Sequence, residues 1–146
     1  MRVLVLDGPN LNLVGTREPH IYGSTTLREI HAMIGARAEE LGLEVDFFQS
    51  NHEGSLIDRL QSADFDAVVV NAGGLTHTSV ALRDALLGVG RPFVEVHLSD
   101  PKAREPFRSV NFLEDVAVRS FVGMGPRGYL LALDELAGRR DADGGA

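Results

Sequence analysis

A chain of 146 residues, 44% hydrophobic and 24% charged, fits one domain of ordinary size and excludes repeat arrays and multidomain machines. With no cysteine it has no thiolate nucleophile, no cysteine-ligated zinc or iron–sulfur cluster and no disulfide framework, which fits a reducing cytoplasm. Fourteen Lys and Arg against 21 Asp and Glu leave a net charge of −7, which disfavours nucleic acid and anionic membranes as partners. The apolar run after Arg2 is far shorter than the core of a signal peptide or the roughly 20 residues of a membrane span. The expected setting is cytoplasmic.

Along the chain, short β-branched runs alternate with amphipathic stretches, the pattern of a doubly wound parallel sheet with helices on both faces. Arg2 to Leu6 predicts the first strand. From Leu6 to Thr26 no periodicity is usable, and a connection this much longer than the usual 2–6 residues or so suits a closing lid. Leu27, Ile30, Ile34, Ala38 and Leu41 then recur at helical spacing, opened by a Thr26–Glu29 capping box and closed by Gly42. Glu44 to Phe48 predicts a second strand, Ser55 to Ser62 a short helix, and the fully apolar Ala67 to Val70 a third strand. Ser79 to Leu87 predicts a helix, Phe93 to His97 a fourth strand, Val116 to Val122 a fifth, and Tyr129 to Leu136 a last helix. The Gly-, Asp- and Arg-rich segment from Ala137 to Ala146 predicts a disordered tail behind a single domain over residues 1–136.

In such a sheet, ligands bind beyond the carboxyl ends of the strands near a topological switch point, and polar residues accumulate there. Asp7 and Asn10 follow the first strand, Asn71 with Gly73 and Gly74 the third, and Glu95, His97 and Ser99 lie at the end of the fourth. Each has a bland reading, the two asparagines as turn or cap residues and His97 as a satisfied core histidine. Each also has a chemical one. Glu95 and His97 share a strand face, so the carboxylate can hold the imidazole in one tautomer and keep it basic enough to shuttle a proton. His77 and Asp84 share one face only if the third helix starts early, and such a pair also fits a surface contact. Tyr22 packs as part of a lid or acts as a base. The second role requires its anion to be favoured by ~3 pKa units, worth ~4 kcal/mol, which a guanidinium such as Arg17 in a water-excluded site can supply. Between Ser99 and Asp115, Lys102, Arg104 and Arg108 concentrate positive charge in an acidic chain, which suits an anionic small molecule. The chain carries no P-loop and no dinucleotide fingerprint, and a flavin phosphate would need a more Ser/Thr-rich first loop. His52, Glu53 and His77 lack the spacing of metal ligands.

Four strings carry a resemblance that spacing alone does not: GPNLNLVGTREPHIYGSTTL from Gly8 to Leu27, QSNHEG from Gln49 to Gly54, THTSVALRDAL from Thr76 to Leu86, and VEVHLS followed by AREPFR from Val94 to Arg108. Over residues 2 to 136 the chain resembles the type II 3-dehydroquinate dehydratases. The resemblance implies a flavodoxin-like fold and a homododecamer built from four trimers. It also implies conversion of 3-dehydroquinate to 3-dehydroshikimate in the shikimate pathway, without cofactor or metal. By the same resemblance Tyr22 is the proton acceptor, Arg17 favours its phenolate, Asn10 holds a water that stabilises the enolate, and His97, oriented by Glu95, protonates the departing hydroxyl. Asn71 and the backbone of Leu98 and Ser99 receive the substrate carboxylate, and His77 and Arg108 hold ring hydroxyls. Asp84 reaches the site of a neighbouring subunit, and Arg17 and Tyr22 belong to the lid. The chain departs from the family pattern at Ala72, Leu75, Asp100 and Ser109–Val110. Asp100 either weakens anion binding or caps a turn.

Overall fold

The computed structural model describes residues 1–16, 18, 20, 23–62 and 64–144. Among them the chain forms five strands and four α-helices: β1 Arg2–Asp7, α1 Leu27–Leu41, β2 Glu44–Gln49, α2 Glu53–Ser62, β3 Ala67–Asn71, α3 Val80–Val89, β4 Phe93–His97, β5 Arg119–Val122 and α4 Arg127–Ala142. All strand pairs are parallel, in the order β2-β1-β3-β4-β5. This is the flavodoxin-like, doubly wound order. The chain winds outward from β1 to β2 and then crosses to β3, so the switch point lies between β1 and β3.

The two faces of the sheet sort the apolar residues. Val3, Val5, Ala67, Val69, Val94 and Val96 pack with α1 and α4 on one side. Leu4, Leu6, Val68, Val70 and Phe93 pack with α2 and α3 on the other. Strands β1, β3 and β4 are covered on both faces, which is why β1 and β3 carry the unbroken apolar runs Val3–Leu6 and Ala67–Val70 and why every residue of β4, Glu95 and His97 included, is buried. The alternation extends to the polar strand ends. Asp7 and Asn71 fall on the α1/α4 side, whereas Glu95 and His97, in step with Phe93, fall on the α2/α3 side.

Helix α1 has the expected bounds because its ends are locally encoded. The Thr26 side chain accepts from the Glu29 backbone, the Glu29 carboxylate accepts from Thr26 in return, and Gly42 closes the helix at φ 69°. Two expectations are corrected. The last helix does not stop at Leu136: Ala137 is still buried against α1, and Arg140 donates to the Leu41 carbonyl at 3.0 Å, so the helix continues to Ala142 inside the segment read as a tail. The fifth strand does not start at Val116. There the backbone folds into a turn on the Leu113 carbonyl, which the Asn111 side chain caps, and pairing with β4 begins at Arg119. No helix among the described residues is long and apolar enough to cross a membrane.

Candidate active site

The carboxyl ends of β1, β3 and β4 open into one cleft, and the loops that floor it are tied together by backbone. Gly8 donates to the Asn71 carbonyl at 2.8 Å, and a Cβ at Gly8 would collide with the Ala72 carbonyl. Gly73 adopts φ +59°, where a Cβ would come within 2.9 Å of the Pro9 carbonyl. From the β2 side, Gln49 donates to the Gly8 carbonyl at 3.2 Å and Asn51 accepts the Asn10 N–H at 3.0 Å. These contacts hold Asn10 in a left-handed conformation, φ 70°, at the rim. Gln49 and Asn51 thus serve the site indirectly, a role that their place in the QSNHEG string did not disclose.

The cleft, about 150 Å³, has the size for a small metabolite and is lined by Asn10, Asn71, His77, His97, Leu98, Ser99, Arg104 and Arg108, with Pro9, Leu11, Val14, Gly73, Gly74 and Pro101. Of the residues singled out from sequence, Asn10, Asn71, His77, His97, Leu98, Ser99 and Arg108 therefore meet here. Glu95 stands behind His97 rather than on the surface. Asp84 is elsewhere, exposed on α3 in a shallow groove with Ile57, Gln61 and Ala81. Arg17 and Tyr22 lie outside the described residues.

His97 lines the cleft with a buried carboxylate behind it. Its Nε2 donates to Oε2 of Glu95 at 2.7 Å; a carboxylate only accepts, so the hydrogen sits on Nε2 and Nδ1 is the second nitrogen of the ring. Glu95 is wholly buried and is met by two further donors, Asn111 Nδ2 on Oε2 at 2.8 Å and Ser120 Oγ on Oε1 at 2.8 Å. Burial alone pushes the Glu95 carboxyl up. The hydrogen bond and charge of His97, then the bonds from Ser120 and Asn111, outweigh it and hold the group below the ordinary carboxylate value. The result is an ionised carboxylate with an imidazole on one oxygen, at the wall of a cleft.

The remaining polar groups are also oriented. His77 donates from Nδ1 to the Val110 carbonyl at 2.6 Å, and Arg108 donates from Nε to Glu105 at 2.6 Å. Asp100 accepts the Lys102 N–H at 3.0 Å, so it caps the turn that carries Pro101. Asn71 donates to Tyr129, which donates to the buried Asp7. Among the described residues no group of three His, Asp or Glu is placed to hold a metal ion. Sequence reasoning missed Asn111, Ser120 and Tyr129. Ser120 had one latent signal, since it is the register partner of Glu95, but that partner is known only once β5 is placed beside β4.

Fold and cleft together define a flavodoxin-like α/β enzyme domain with a buried carboxylate–imidazole pair facing a small pocket that Arg104 and Arg108 line. The model of the family "Dehydroquinase class II" matches residues 1–137, and the chain belongs to that family. It is 54% identical over 137 residues to "Catabolic 3-dehydroquinase 1" of Aspergillus terreus, covering 92% of this chain and 90% of that one. To "3-dehydroquinate dehydratase 1" of Ralstonia nicotianae it is 56% identical over 135 residues, covering 90% and 86%. The crystal structure of the type II dehydroquinase from Butyrivibrio crossotus superposes with a TM-score of 0.90 at 42% identity, covering 93% of this chain and 97% of that one.

Proposed function

We propose that this chain is a type II 3-dehydroquinate dehydratase, eliminating water from 3-dehydroquinate by an anti route through an enolate. The observation that carries the reading is the buried Glu95–His97 pair on the wall of the cleft, in a chain of the class II dehydroquinase family. Tyr22, its phenolate favoured by Arg17, takes the proton from the carbon beside the ketone. The enolate charge is met by a water held at Asn10, and His97, as the imidazolium with Nε2–H kept on Glu95, gives a second proton from Nδ1 to the departing hydroxyl, which leaves as water. One carbon–hydrogen and one carbon–oxygen bond break and a carbon–carbon double bond forms. Return of a proton from Tyr22 to His97 completes the cycle.

Asn71 and the backbone of Leu98 and Ser99 receive the substrate carboxylate, in a cleft that Arg104 and Arg108 also line. His77 and Arg108 hold ring hydroxyls. Asp84 faces away from its own cleft on the exposed side of α3, which supports a role in a neighbouring subunit's site within a homododecamer of four trimers. The chemistry as proposed uses acid–base groups alone, with 3-dehydroquinate as the small-molecule partner and no metal or cofactor.

The test is the rise in ultraviolet absorbance of the conjugated enone when 3-dehydroquinate is mixed with the protein in metal-free buffer. No turnover under those conditions overturns the reading. Tyr22→Phe should abolish turnover while leaving substrate binding largely intact, and sedimentation should show an assembly larger than the single chain.

A further inference from the structure

On the side of the cleft away from His97, Asn71 is the outer member of a buried polar chain whose inner members, Tyr129, Asp7 and His31, have no part in the reaction above. His31 of α1 donates from Nε2 to Oδ2 of Asp7 at 3.0 Å, and its ring stacks on Phe47 with centroids 4.2 Å apart. Tyr129, at the start of α4 and wholly buried, donates from its hydroxyl to Oδ1 of Asp7 at 2.6 Å. Asn71 donates from Nδ2 to the Tyr129 oxygen at 3.0 Å, and its own Oδ1 accepts the Gly73 N–H at 3.2 Å.

The directions of these bonds follow from the donor inventory. A carboxylate only accepts, so both of its partners donate to Asp7. Tyr129 has one hydrogen, and with that hydrogen on Asp7 its oxygen faces Asn71 with lone pairs. The amide must therefore turn its nitrogen to Tyr129 and its oxygen to Gly73. One Nδ2 hydrogen remains, and Asn71 lines the cleft. A neutral, reversible group in place of Asp7 would let the tyrosine hydroxyl turn and donate to the amide oxygen. The amide could then flip and present an acceptor to the cleft, where an anion would be repelled.

We infer that Asp7 and Tyr129 are positioning residues that lock the Asn71 amide with an N–H left for the cleft, and so select a ligand carboxylate at that end. The inference rests on the reading of Asn71 as the receiver of the substrate carboxylate. Burial, then the charge of Asp7, pushes the Tyr129 hydroxyl well above its ordinary range, so the group keeps its hydrogen and the polarity of the chain does not alternate. A buried carboxylate is a costly way to fill a core position. One that sits beneath a cleft and terminates a one-way hydrogen-bond chain has a use there.

The test compares Asp7→Asn and Tyr129→Phe with the unsubstituted full chain, using 3-dehydroquinate as substrate and recording a melting curve for each protein. Each variant should raise KM about tenfold, the weight of one charge-assisted hydrogen bond, with kcat changed much less. In an Asn71→Ala background the same substitutions should leave KM nearly unchanged, because the effect travels through Asn71. An unchanged KM, an equal rise in both backgrounds, or a loss confined to kcat overturns the inference. Where a variant does not fold, the unsubstituted protein decides. In a 15N-edited spectrum titrated with 3-dehydroshikimate, one Nδ2 proton of Asn71 should shift strongly while the one held by Tyr129 moves little, and movement of both equally or of neither overturns the inference. Absence of turnover by the unsubstituted protein is a separate result, against the proposed activity.

Discussion

Asn111 donates to Oε2 of Glu95 at 2.8 Å, the same oxygen that accepts the Nε2 hydrogen of His97 at 2.7 Å. The loop between β4 and β5 thus reaches back to fix the carboxylate that fixes the imidazole. Ser120 takes the other oxygen from β5, so Glu95 has little freedom to rotate away from His97. Three separate chain segments converge on one buried charge.

Asn111→Asp keeps the cap on Leu113 and Glu114 but replaces a donor to Glu95 with a like charge. A hydrogen bond to a charged group contributes about 1.5–3 kcal/mol, so turnover should fall by an order of magnitude or more. Loss of a group that lowers the Glu95 carboxyl lets it rise, and the acidic limb of the pH–rate profile should move to higher pH. A profile that overlays that of the parent protein would show that Asn111 acts only as a cap.

The Glu95 carboxyl lies below its ordinary value of 4.5 in the folded protein. A depressed carboxyl stabilises the fold fully above its unfolded pKa, and that contribution is lost as pH falls through the folded value. The stability gap between the parent protein and Glu95→Gln should therefore be constant above about pH 5 and narrow below about 4.5. Urea midpoints at a series of pH values measure it, and a gap that widens on acidification contradicts the assignment.

Gly8→Ala puts a methyl group against the Ala72 carbonyl, with the Ala72 Cα only 3.1 Å away. No side chain can swing aside, so the strain falls on the loops that floor the cleft. Overpacking of this kind costs about 1–3 kcal/mol, and at ~2–4 °C per kcal/mol for a chain of this size the melting temperature should drop by several degrees. Activity should fall with it.

Gly138→Ala should act in the opposite sense. Gly138 lies inside α4 beyond the expected end of that helix, and a Cβ there meets nothing within 4 Å. Alanine in an unstrained helix interior stabilises by about 0.4–1 kcal/mol, so the melting temperature should rise by ~1–4 °C. No change would mean that the helix ends near Leu136.

Much of the architecture is legible in the primary structure because it is coded locally. Leu27, Ile30, Ile34, Ala38 and Leu41 draw a helix face without knowledge of its partner, and Thr26, Glu29 and Gly42 mark its ends. The apolar runs Val3–Leu6 and Ala67–Val70 mark strands covered on both faces. The end of α4 was not legible, because a Gly- and Arg-rich segment resembles a tail until Ala137 and Arg140 are seen against α1. Nor was the start of β5, because Val116 carries a β-branched side chain yet packs on the core, with Ala117, from a turn.

The sequence alone determined a flavodoxin-like fold and, through its long matched strings, a family. It also placed Glu95 and His97 on one strand face, since a period of two needs no partner. Only the tertiary structure decided how the cleft is held. Asp7 and Tyr129 are 122 residues apart, and Asn71 and Tyr129 58. Glu95 meets Ser120 across a pairing that exists only after β5 settles beside β4. Hydrogen bonds of this kind depend on the position and direction of side chains brought together by packing, and no local pattern in a chain records them.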